Sequence, residues 1–160
     1  MTTTSALTSQ IEIDAPAETV WAILMDFPAY PEWNPFIRQI SGRPEVGTRI
    51  EVRLQPPGGR GMTFKPTVLV ADQGREFRWL GKLLVKGLFD GEHIFRIEPL
   101  GPDRVRFVQE EAFAGVLVPL LKGTLGQAEQ GFHAMNAALK QRAEEMAEEM
   151  ADGKVRHGQG

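Results

Sequence analysis

Residues 91–113 read GEHIFRIEPLGPDRVRFVQEEAF, and their alternation decides the fold. His93, Phe95 and Ile97 alternate with Glu92, Arg96 and Glu98. Beyond the turn signal Leu100-Gly101-Pro102-Asp103, Val105, Phe107 and Phe113 share one parity, opposed by Arg104, Arg106 and Glu110. Successive side chains of a strand point to opposite faces, so an apolar set alternating with a charged set marks half-buried antiparallel strands. His93, Gln109 and Glu111 keep the apolar parity without being apolar. If the parity holds through both strands, all three point inward; a bulge would turn them to solvent. Adjacent strands lie about 4.8 Å apart, so His93 and Glu111 come within reach of each other. A buried carboxylate is costly unless paired, and His93 is the expected partner.

The same period extends back toward Phe36. Ile50, Val52 and Leu54 alternate with Arg49, Glu51 and Arg53, and QPPGGRG reverses the chain. Met62, Phe64, Val68 and Val70 are expected on one face, with Pro66 marking an edge or a bulge. Phe77 and Trp79 alternate with Glu76 and Arg78. Upstream, Ile11 and Ile13 alternate with Gln10, Glu12 and Asp14 in a further short strand. A short amphipathic helix follows, with Pro16 at its start, Glu18 in its first turn, and Ala17, Val20, Trp21 and Leu24 on one face. Downstream the spacing changes to three and four: Phe132, Met135, Leu139, Ala143 and Met146 form a stripe. It predicts a helix from about residue 116 to 150, with Pro119 in its opening turn and Asp152-Gly153 at its end. Such a helix reaches on the order of 50 Å, enough to cover the inner face of a curved antiparallel sheet. The fold class is α+β.

Between the first helix and the sheet stands DFPAYPEWNPF, residues 26–36, with prolines at 28, 31 and 35 and aromatics at 27, 30, 33 and 36. Proline excludes a continuous helix or a central strand, and so much apolar surface excludes an ordinary solvated loop. At 160 residues the chain makes one domain, expected over 8–152, with 1–7 a flexible start and 153–160 a disordered tail. A net charge of −3 gives no footprint for nucleic acid. The absence of cysteine excludes disulfides and thiolate metal sites. No basic-then-apolar leader opens the chain, and the longest apolar run, residues 113–121, falls well short of the ~18 residues that cross a bilayer. A cytoplasmic protein without stable membrane insertion is expected.

The combination IDAPAETVWAILMDFPAYPEWNPF, then WLG, then the hairpin above, then a long helix carrying GFHAMNAALKQRAE resembles the START-like (SRPBCC) superfamily of helix-grip proteins, in its polyketide cyclase/dehydrase and lipid-transport branch. The resemblance covers roughly residues 8 to 150. It implies a sheet of about seven strands wrapped round the long helix, a hydrophobic cavity between them, and two short helices in the elbow closing one end. The superfamily includes carriers, receptors, cyclases and co-chaperones, and fold alone does not choose among them.

The leading expectation is binding of a small hydrophobic molecule, a lipid, a polyketide-like aromatic or another apolar metabolite. Ligand pockets are largely apolar with a few convergent polar groups. Trp33, Phe36, Phe64, Trp79, Phe95, Phe107, Phe132 and Met135 are the expected wall; His93, Gln109 and Glu111 orient the ligand, and Asn136 reaches either the cavity or a strand. A cyclase or dehydratase in which His93 and Glu111 exchange protons is the enzyme alternative. A protein-interaction module working through apolar tips such as LLVKGLFDG, residues 83–91, is the third. Trp33 and Tyr30 could equally plug the open end, and the polar trio could be an internal network. His133 is expected to pair with Glu129 one turn away. Gly123, Gly126 and Gly131 either make room beneath the helix or mark a kink or close packing. With no clustered ligand spacing, no metal is expected. Gly59-Arg60-Gly61 lies in a hairpin turn and opens no helix, so no nucleotide or other cofactor is expected.

Overall fold

The computed structural model describes residues 3–82, 90–115, 117–118 and 122–157. Strand β1 (Thr3–Ile13) leads to α1 (Ala17–Met25), a 3-10 turn (Phe27–Ala29) and α2 (Tyr30–Trp33). Strands β2 (Ile37–Ser41), β3 (Glu51–Leu54), β4 (Met62–Phe64), β5 (Thr67–Asp72), β6 (Glu76–Lys82), β7 (Asp90–Gly101) and β8 (Arg104–Gly115) follow, and α3 (Lys122–His157) closes the chain. All pairings are antiparallel, in the orders β1-β8-β7-β6-β5 and β2-β3-β4. The two sets join through Gly47 N to Val68 O (2.9 Å), Val68 N to Thr48 O (2.9 Å) and Ile50 N to Pro66 O (3.0 Å). Pro66 has no N–H for a ladder but accepts through its carbonyl, so β4 and β5 are one strand broken at proline. That break turns about seven expected strands into eight.

The inner face is the apolar parity read from the sequence. Phe77, Trp79, Phe95, Ile97, Val105 and Phe107 are buried on it, under Phe132, Met135, Leu139 and Ala143 of α3. The expected common face of Met62, Phe64, Val68 and Val70 is corrected. A register shift between Val68 and Val70 sets Val68 opposite inward Trp79 but Val70 opposite outward Arg78, and Met62 at the start of β4 is exposed. A bulge adds one residue to one strand and resets its parity.

Both chain ends carry more structure than expected. β1 begins at Thr3 because β8 continues to Gly115 and offers it a partner. The helix predicted to stop at Asp152-Gly153 runs on to His157. Gly153 is not among the glycines with positive φ, so it forms no left-handed cap, and one glycine costs a helix only ~1 kcal/mol. The predicted helix start at 116 and Pro119 lie outside the described residues, as does most of the apolar hairpin tip, residues 83–89.

The proline-aromatic elbow folds into the 3-10 turn and α2, the two short helical pieces expected. Tyr30 donates its hydroxyl to Leu24 O (2.8 Å) and meets Phe27 edge-on. Asn34 Oδ1 accepts from the backbone N–H of Phe36 (2.9 Å) and Ile37 (2.8 Å), which starts β2. Phe36 then lies on α3 at Gly131 and edge-on to Phe132, with ring centroids 5.6 Å apart.

Candidate functional site

The β7–β8 register is unbroken from Asp90↔Ala114 to Pro99↔Val105, so it sets His93 opposite Glu111 and Phe95 opposite Gln109. Parity therefore holds, and a chain of polar side chains crosses the inner face. Glu111 Oε2 meets His93 Nδ1. His93 Nε2 lies 3.0 Å from Gln109 Oε1. Gln109 Nε2 donates to Asn136 Oδ1 on α3 (2.8 Å), and Asn136 Nδ2 donates to Ser9 Oγ on β1 (3.0 Å). His93, Gln109, Asn136 and Ser9 are buried, whereas the Glu111 side chain keeps 15% exposure. The chain ties three strands and the helix together at one level of the sheet.

The hydrogen bonds assign the protons. The Gln109 amide gives its N–H to Asn136, so its oxygen accepts, and His93 Nε2 must carry a hydrogen. One more proton then lies in the Nδ1···Oε2 contact, whether it rests on the imidazole or on the carboxyl. His93 is further held by stacking on Trp79 (centroids 4.9 Å, 20° between planes) and by an edge contact with Phe132 (5.2 Å).

On one side of this chain the interior is filled. Phe77, Phe95 and Phe107 stack along the sheet, and Phe36, Met135 and Leu139 are buried with them. On the other side the inner parity of the β6–β7 ladder carries two glycines. Gly81 and Gly91 stand opposite each other in the β6–β7 ladder, at the positions that follow Trp79 and precede His93 on the inner parity. A Cβ at Gly91 would come 2.8 Å from Glu111 Oε1, so the glycine makes room for the carboxyl. A Cβ at Gly81 would meet only ordinary contacts with Pro66 and Phe64. Phe113, Val118 and Leu125 form a second, smaller core cluster at this end, with Leu7 against it.

The structure thus divides the residues expected at the site. His93, Gln109 and Glu111 come together, joined by Asn136, which resolves toward a partner rather than a free end. Trp79 and Phe64 border the glycine floor. Phe36, Phe95, Phe107 and Met135 are packed core. Trp33 is half-buried beside Tyr30 (5.2 Å), its Nε1 without a partner among the described residues. Sequence reasoning missed Ser9, Gly81 and Gly91. Extending the Ile11–Ile13 parity by one step finds Ser9, and extending Phe77–Trp79 finds Gly81.

His133 is exposed and forms no ion pair with Glu129 among the described residues. No group of carboxylates and histidines there could hold a metal, and no helix is long and apolar enough to cross a membrane. Two surface clefts, of about 480 and about 390 Å³, are lined by Ser5, Leu80 and Glu92 and by Pro28, Pro31 and Arg53 among others; neither touches the polar chain.

A family model described as polyketide cyclase/dehydrase and lipid transport matches residues 4–151. Among solved structures, a START superfamily protein from Mycobacterium smegmatis is 24% identical, with a TM-score of 0.67 over 88% of this chain and 98% of that one. The ZhuI aromatase/cyclase from Streptomyces sp. R1128 is 15% identical, with a TM-score of 0.72 over 89% and 94%. Norcoclaurine synthase from Thalictrum flavum is 18% identical, with a TM-score of 0.65 over 91% and 98%. At these identities the likeness establishes the helix-grip fold. No curated protein sequence matches the chain.

Proposed function

This chain belongs to the polyketide cyclase/dehydrase and lipid-transport family, and from that premise we propose that it binds a small, mostly apolar molecule between the sheet and α3, over Gly81 and Gly91 and beside Glu111. The observation that carries the reading is the pair of facing glycines on the inner parity of an otherwise side-chain-filled sheet. A strand glycine marks a place where something approaches the backbone closely. Phe64, Trp79, Phe113 and Leu125 supply apolar walls, and Glu111 supplies one polar group, the composition usual for ligand sites.

Native mass spectrometry of freshly purified protein tests for a retained small molecule. Titration with the neutral dye Nile red tests the place. Gly81→Ala, Gly81→Val and Gly81→Leu fill the floor in steps without reaching Glu111. Dye binding is expected to fall along the series while unfolding midpoints stay close together. Unchanged binding in a folded Gly81→Leu protein moves the ligand elsewhere.

The His93–Glu111 contact favours one second reading, a cyclase or dehydratase in which Glu111 moves a proton at a carbonyl compound. Glu111→Gln keeps shape but removes the acid–base group. Such an enzyme should lose ~10²–10⁴ in rate on a substrate identified by mass spectrometry, whereas a pure binder keeps its affinity for a hydrogen-bond-donating ligand.

A further inference from the structure

We propose that the site selects a ligand bearing a hydrogen-bond donor, a hydroxyl or amine on an apolar body, and rejects free carboxylates such as fatty acids. The inference rests on the reading above that the ligand lies over Gly81 and Gly91. Its basis is an accounting of the polar chain. Both His93 nitrogens are engaged, by Glu111 and by Gln109. Gln109 spends its oxygen on His93 and its nitrogen on Asn136. Asn136 spends its nitrogen on Ser9. The groups that looked like three ligand contacts in the sequence are consumed by each other, and all except Glu111 are buried.

What is left is Glu111 Oε1. It makes no hydrogen bond among the described residues, and it lies on the inner face against Gly91. With one proton in the Nδ1···Oε2 contact, Oε1 is an acceptor whichever partner holds that proton. If His93 holds it, Glu111 is a carboxylate. If Glu111 holds it, the proton is on Oε2 and Oε1 is the carbonyl oxygen. A ligand hydroxyl or amine satisfies this oxygen. A ligand carboxylate sets acceptor against acceptor at Oε1, and the second amide N–H of Gln109 and of Asn136 and the Ser9 hydroxyl belong to side chains buried behind His93 and Glu111, an arrangement that discriminates strongly in a desolvated site.

The test is displacement of Nile red by naphthol and by naphthoate near neutral pH, on wild type and on Glu111→Leu. Wild type is expected to hold naphthol at least about tenfold more tightly than naphthoate. Glu111→Leu fills the same space but offers no acceptor, so it should weaken naphthol and narrow the gap. Equal binding of the two probes to wild type, or a gap unchanged in Glu111→Leu, with Nile red still bound, overturns the selectivity and leaves the binding reading standing. Failure of all three to bind wild type overturns both. Methyl naphthoate provides a measurement on wild type alone. It is neutral and lacks a donor, so it should bind more weakly than naphthol, and equal affinity overturns the proposal.

Discussion

Gly131→Ala puts the elbow's attachment to the long helix to a test in which two forces oppose each other. Alanine is the better helix former, and replacing an interior helical glycine normally gains ~1 kcal/mol. At residue 131 the added Cβ would fall on the Phe36 ring, 2.8 Å from Cγ and nearer still to Cδ2 and Cε2. Phe36 is 1% exposed and wedged against Phe132, so the ring has little room to retreat. Overpacking of this kind costs ~1–3 kcal/mol, and more if the ring is expelled. The expected net effect is a loss of ~1–2 kcal/mol, or a few degrees in Tm for a chain of this size. Gly126→Ala is the matched control. It lies in the same helix, is exposed, and its Cβ would meet nothing within 4 Å. It should stabilise by up to ~1 kcal/mol. Urea unfolding of both variants, and of Gly131→Ala in a Phe36→Ala background, reads the result. Without the ring the same substitution should turn neutral or stabilising, giving a coupling energy of ~1–3 kcal/mol. A Gly131→Ala protein as stable as Gly126→Ala would refute the close packing of the elbow on α3.

Three further outcomes are expected. Burial first, and the nearby Asp26 charge second, push the Tyr30 phenol well above its usual value near 10. Its contribution is therefore fully present below pH ~10; above that the unfolded chain ionises first, and stability falls by ~1.4 kcal/mol per pH unit. Tyr30 is the only tyrosine, so tyrosinate absorbance should rise together with unfolding, and a rise in the folded protein at its ordinary pKa sinks the argument. Gln109→Leu strands His93 Nε2–H and Asn136 Oδ1 inside the protein, and a loss of ~2–4 kcal/mol is expected in urea unfolding; a change below ~0.5 kcal/mol would mean the chain of hydrogen bonds contributes little. Trp79→Ala removes a ring that is 3% exposed and stacked on His93, so it should cost ~3–5 kcal/mol and weaken Nile red binding, and an unchanged melting point contradicts that packing.

The local periods of this chain determined most of its elements and, outside the bulged stretch from Met62 to Val70, which face of each is buried. Alternation from Phe77 to Phe113 set the inner face, the stripe from Phe132 to Met146 set the covering helix, and one uninterrupted parity brought His93, Gln109 and Glu111 inside. These are properties of neighbours along the chain, because the pleat and the helical turn repeat over two to four residues. Tertiary structure alone decided how the inward polar groups spend their hydrogen bonds. Ser9 and Asn136 meet across 127 positions, and that contact occupies the asparagine, which occupies Gln109, which occupies His93. The same holds for the elbow, whose aromatic content was plain but whose seat against Gly131, 95 residues on, was not. Hydrogen bonding and steric fit are saturable and pairwise, so whether a side chain is free for a ligand depends on every partner the fold brings to it, and no period in the sequence records that.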